Sequence, residues 1–187
     1  MEKKETVLRM VMLGFLIALG VVISPILRVE GMCPMAHLIN IVCAVLMGSK
    51  AAFLCAFLIG IIRMMFLGIP PLALTGAVFG AALSGILYQA SKGKLWAAVI
   101  GEIIGTGIIG AIVSYPVMAL FWGRTGLTWM FYVPSFIGGT LIGGSIAFGF
   151  LLAIKKTGVL AGMQKKLGSK IISEPDATHY EGNIVGQ

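Results

Sequence analysis

Charge is what this chain has least of. Its 187 residues include seven acids and 14 lysines and arginines, a charged fraction of 11%. Soluble domains carry about 25%. Five of the acids, Glu2, Glu5, Glu174, Asp176 and Glu181, lie near the ends, so few carboxylates remain for acid–base work. There are two histidines and three cysteines (Cys33, Cys43 and Cys55), with no CxxC pair. That leaves no disulfide framework, no metal site and no implied cofactor. The loop GxxxxGK[ST] is absent, as are HExxH and GxSxG. An ATPase and an enzyme active site are therefore poorly supported. A net charge of +7 does not point to nucleic acid, because the basic residues sit at the ends of apolar runs and no aromatics interleave with them.

What fills the chain instead is hydrocarbon. The sequence is 58% hydrophobic with a mean hydropathy of +1.01, more apolar surface than a chain this short can bury in a soluble core. Lipid is its solvent. A spanning helix needs about 20 mostly apolar residues, and six apolar runs stand out. They are Val7–Leu27, the short Ala36–Met47, Ala51–Leu67, Leu72–Ala90 (entered through Ile69, Pro70 and Pro71), Leu95–Phe121 (with Pro116 inside) and Tyr132–Ile154. The start, Lys3, Lys4 and Arg9 before an apolar run, resembles a signal peptide. No small-residue cleavage site follows, so a retained first helix is expected. The expected fold is an all-α membrane bundle of six transmembrane helices over residues 1–160. A polar cytoplasmic tail of 161–187 follows, disordered from Ser169.

Orientation follows the lysines and arginines. With the N-terminus inside, the inner segments hold Lys3, Lys4, Arg9, Lys50, Lys92, Lys94, Lys155, Lys156, Lys165, Lys166 and Lys170, while the outer loops hold Arg28 and Arg124. This asymmetry and the even span count place both termini in the cytoplasm. Trp122, Trp129 and Tyr132 then fall at the outer interface, where amphipathic rings settle.

Two charges lie deep in apolar runs: Arg63 and Glu102. A charge at membrane depth costs a few kcal/mol or more and usually faces a bundle interior or wet cavity. Arg63 lies roughly 7 Å below the outer edge and Glu102 roughly 10 Å above the inner end at 1.5 Å per residue. That leaves about a dozen Å between their depths, so a direct salt bridge is not assured. Glu102 either accepts from Thr106, one turn on, or keeps its proton. His37 and Asn40, three apart, share a helix face near the outer end. With Arg63, Thr75 and Tyr115 they are candidates for a pocket that opens outward, closed by Trp122, Trp129, Tyr132 and Ser135. Such a lining suits a small, flat, mostly neutral solute. Small residues recur at helical spacing: Gly14 and Ala18, then Gly76, Gly80 and Ser84, then Gly101 and Gly105, then Gly139 and Gly143. These faces let helices approach closely in lipid. The face on the first helix is open to a separate partner.

The run Pro34-x-x-His37-Leu38-Ile39-Asn40, the later Gly48, and Arg63 with Gly68 resemble the ThiW family. So does Gly101-Glu102-Ile103-Ile104-Gly105-Thr106-Gly107-Ile108-Ile109-Gly110-Ala111, running on to Tyr115 and Pro116. The resemblance covers about residues 6–160. It departs where Thr75 and Ser49 stand in place of usual prolines. It implies a six-helix substrate-binding (S) component of an energy-coupling factor (ECF) transporter in a bacterial plasma membrane. Such a subunit takes up the thiazole precursor of thiamin and works with a transmembrane coupling protein and two cytoplasmic ATPases. Gly14 and Ala18 match the patch that docks the coupling protein. The substrate-binding candidates are His37, Asn40, Arg63, Thr75, Glu102, Tyr115, Trp129 and Tyr132. Alternatives are another vitamin or precursor as cargo (a pyrimidine, or thiamin), an intramembrane enzyme using Glu102, or a bundle with no cargo.

Overall fold

The structure is a computed structural model that describes residues 2–26, 28, 32–124 and 126–173. Those residues form seven helices. They are α1 (Glu2–Ile23), α2 (Pro34–Met47), α3 (Ser49–Leu67), α4 (Leu72–Ala90), α5 (Leu95–Trp122), α6 (Val133–Lys156) and α7 (Val159–Lys166). Five of them, α1 and α3 to α6, are long and apolar enough to cross a membrane. The sixth apolar helix, α2, has 14 residues and rises about 21 Å, less than a bilayer core.

The short helix is the axis of the bundle. Pro34 opens it, where a missing N–H costs nothing and the fixed φ suits a helix. Nearly all of α2 is buried, and it touches every other helix. That explains its composition: a helix apolar all round is one surrounded by protein or lipid. Gly48, at φ 87°, breaks the chain and turns it directly into α3. By contrast α1 packs on α2 and α3 and leaves Val7, Val11, Phe15 and Val22 exposed. Gly14 and Ala18 are on its outward side, with open space around Gly14.

Contact between α4 and α5 is made by backbone. A Cβ on Gly101 would lie 2.6 Å from the Ser84 Cα, and one on Gly105 would lie 2.6 Å from the Gly80 Cα. One on Gly110 would lie 3.0 Å from the Gly76 carbonyl oxygen. The small positions on α4 (76, 80, 84) step by four. Their partners on α5 step by four and then by five. The extra residue is taken up by a π-helical stretch, Ile103–Gly110, whose wider turns keep Gly105 and Gly110 on the same side. The Ser84 hydroxyl ties the pair further by donating to the Ala98 carbonyl at 2.8 Å.

At the end of the bundle that carries the N-terminus, the chain departs from the expected polar tail. Residues 159–173 fold back as α7 and a strap, with Leu160, Gln164, Leu167 and Ser173 buried. The last four carbonyls of α2 have no partner within their helix, and each finds a donor. Ala44 accepts from the Gly48 N–H at 3.0 Å, Val45 from the Gln164 amide at 2.9 Å, Leu46 from the Ser169 hydroxyl and Met47 from Arg9 at 3.2 Å. The expected disorder from Ser169 therefore does not hold for 169–173. Residues 174–187 lie outside the described residues.

Candidate substrate pocket

At the opposite end of the bundle is a cavity of about 380 Å³, within the range that houses small-molecule ligands. Its walls come from the start of α2, the end of α3, the start of α4, the middle of α5 and α6. Apolar lining is supplied by Met32, Ile69, Leu72 and Phe136, and polar lining by Arg28, Cys33, His37, Arg63, Thr106 and Arg124.

Beneath the cavity is a buried polar cluster. Glu102 is wholly buried. Its Oε1 accepts from the Asn40 amide at 3.0 Å and from the Thr106 hydroxyl at 3.0 Å, and His37 Nδ1 lies 2.9 Å away. This contact fixes the orientation of the imidazole ring. Asn40 also donates to the Ala77 carbonyl at 3.3 Å, which fixes α2 against α4. Gly80 makes room for the carboxyl group: a Cβ there would come within 2.8 Å of Glu102 Oε2. The cluster joins α2, α4 and α5 at one depth.

Arg63 is elsewhere. It is 3% exposed, lines the cavity, and donates from Nη2 to Cys33 Sγ at 3.3 Å. Among the described residues the only carboxylate contact by a basic side chain is His37 with Glu102, so Glu102 and Arg63 are not a pair. The two responses open to Glu102 from its sequence included accepting from Thr106, and that contact is present.

The remaining candidates separate. His37 and Arg63 line the cavity, and Asn40 and Glu102 hold its floor from behind. Thr75 points into the α4–α5 contact, where its hydroxyl is 2.6 Å from Ser114 Oγ. The Tyr115 and Trp129 rings pack on each other, centroids 4.8 Å apart, and neither lines the cavity. Tyr132 is buried against Phe131 and Phe136, so it touches the cavity wall through Phe136 rather than the cavity. Trp122 is half exposed, and Ser135 donates to the Tyr132 carbonyl. Lining residues passed over in the sequence are Thr106, Cys33, Phe136, Arg28 and Arg124. The two arginines were visible as the outer-loop cations. Cys33 and Phe136 carried no sign that separates them from ordinary apolar packing.

A comparison with known families matches residues 10–157 to the ThiW family, described as a thiamine-precursor transporter protein. No curated protein and no solved structure matches the chain significantly. The matched span contains the whole bundle from α2 to α6, its cavity and the polar cluster below it. This multi-pass membrane protein therefore belongs to the ThiW family of thiamine-precursor transporters.

Proposed function

We propose that the chain is the substrate-binding subunit of an ECF-type importer and that its cargo is hydroxyethylthiazole or a close derivative. The observation that carries this reading is a ligand-sized cavity whose floor is His37, held in one orientation by a buried carboxylate. A thiazole offers a flat ring, a ring nitrogen and a side-chain oxygen. The ring fits against Phe136 and Met32, and Arg63, Thr106 and His37 supply directed polar contacts. Asn40 and Glu102 act as positioning residues. Tyr132 supports Phe136, while Tyr115 and Trp129 fix the loop rim. The cavity end faces outward and both termini face the cytoplasm, with α2 counted as a sixth, shortened span. Energy comes from a transmembrane coupling protein and two cytoplasmic ATPases, consistent with a sequence that carries no nucleotide loop.

An equilibrium titration of the purified protein with hydroxyethylthiazole, a hydroxymethylpyrimidine, thiamin and riboflavin tests this reading. Hydroxyethylthiazole is expected to bind tightest. Asn40→Ala weakens it by about tenfold, the loss expected when one buried hydrogen bond that fixes the floor is removed. Tightest binding of another compound changes the cargo, and no binding of any compound ends the proposal.

The coupling face is tested separately. Gly14 lies on the outward side of α1 with nothing within 4 Å of its would-be Cβ. Gly14→Leu therefore leaves folding and cargo affinity intact. In vesicles containing the whole importer it abolishes uptake, because a leucine there holds the partner helix away. Uptake at the wild-type rate would move the docking face elsewhere.

A further inference from the structure

Among the described residues the cavity is lined by three arginines, Arg28, Arg63 and Arg124, and by no carboxylate. Among the described residues the acid below the floor is Glu102, and its Oε1 is engaged by donors of the protein itself. Arg63 is the informative member. Its guanidinium has five N–H donors in a planar fork, yet it is 3% exposed. Among the described residues its Nε has no partner, and its one side-chain acceptor is a cysteine sulfur, a weak one. A buried cation left so poorly satisfied is costly. It lines an open cavity, and the group that completes a guanidinium fork is an oxyanion, bound through paired N–H···O contacts. Arg28 adds positive potential to the same space, and positive charge lining a cleft concentrates anions.

We infer that this pocket selects an oxyanion: the cargo form bound most tightly is a precursor bearing a phosphate monoester or a carboxylate, held by Arg63 with Arg28 near the mouth. The inference rests on the reading of the cavity as the cargo site, and it changes the cargo class expected from the sequence, a mostly neutral solute.

The test is calorimetric titration of the full chain in a neutral detergent, so that no lipid phosphate competes. The probes are hydroxyethylthiazole, its phosphate monoester and 4-methylthiazole-5-carboxylate, with inorganic phosphate as a competitor. At least one oxyanion form binds at least about tenfold tighter than the alcohol, and the tighter of the two names the group. The advantage shrinks as salt is raised, disappears in Arg63→Met, and narrows in Arg28→Gln, a substitution at an exposed residue that does not disturb the fold. An alcohol that binds as tightly as both oxyanion forms overturns the inference and leaves the proposed function standing. Inorganic phosphate competing as well as the ester also overturns it, by showing a plain anion site. Binding of none of the three thiazoles removes both readings.

Discussion

Glu102→Leu lowers affinity for the thiazole cargo by about a hundredfold and destabilises the protein by about 3 kcal/mol. Leucine fills a similar space but accepts no hydrogen bond. The Asn40 amide and the Thr106 hydroxyl, both buried, lose the oxygen they share, and His37 loses the atom that orients its ring. Each buried donor left without a partner costs about 1–3 kcal/mol. The affinity loss exceeds that of Asn40→Ala because the floor of the cavity loses its anchor rather than one tether. Glu102→Gln keeps an acceptor oxygen and the shape, and recovers most of both quantities. Thermal unfolding in detergent and equilibrium titration measure the two effects. A leucine variant with wild-type affinity would show that the polar cluster serves only to join helices. A glutamine variant as damaged as the leucine one would point instead to the charge.

Gln164→Leu is expected to destabilise the protein by about 3 kcal/mol without touching the cavity at the other end. Gln164 is fully buried. Its amide nitrogen donates to the Val45 carbonyl and to the Tyr88 hydroxyl, each at 2.9 Å. Its amide oxygen accepts from the Ser173 N–H at 2.7 Å. Leucine leaves all three without that partner and frees the strap that covers the end of α2. The strap carries Lys165, Lys166 and Lys170, so trypsin reads its release directly. Cleavage in this segment speeds up by about a hundredfold if opening follows the lost stability. Unchanged cleavage would mean that the other bonds to the strap, from Arg9 to the Leu167 carbonyl, from Ser169 to the Leu46 carbonyl and between Tyr88 and Ser173, hold it in place.

Particular residues show what could be read in advance. His37 and Asn40 are three apart, so their shared face needed only helical geometry, and both engage the same carboxylate oxygen. Glu102 and Thr106 are four apart on one helix, and their bond was equally local. The link between the two pairs was not legible, because it crosses 62 and 65 positions of chain and depends on which face of α5 meets α2. That face is set by the π-helical stretch and the glycines of α4, and a π turn shifts register by one residue without a polar marker. Thr75 illustrates the same limit: its depth was foreseeable, but its partner Ser114 was not. Gln164 sits among lysines and glycines in a segment that reads as a polar tail. Its burial follows from the Val45 carbonyl, left without a partner within a helix more than a hundred residues earlier.

By itself the sequence determined the solvent and the apolar helices. Long apolar runs have no stable home but lipid, and in lipid a lone segment must be helical to satisfy its own backbone. It also marked Arg63 and Glu102 as interior groups, since neither charge is stable against hydrocarbon. The tertiary structure alone decided who meets whom: Glu102 with His37, Asn40 and Thr106, Arg63 with the cavity, and Gln164 with the end of α2. The reason is that lipid and protein core are equally apolar. In a membrane bundle hydrophobic periodicity does not tell the buried face from the outer one, and only the fit of backbone against backbone sets the register.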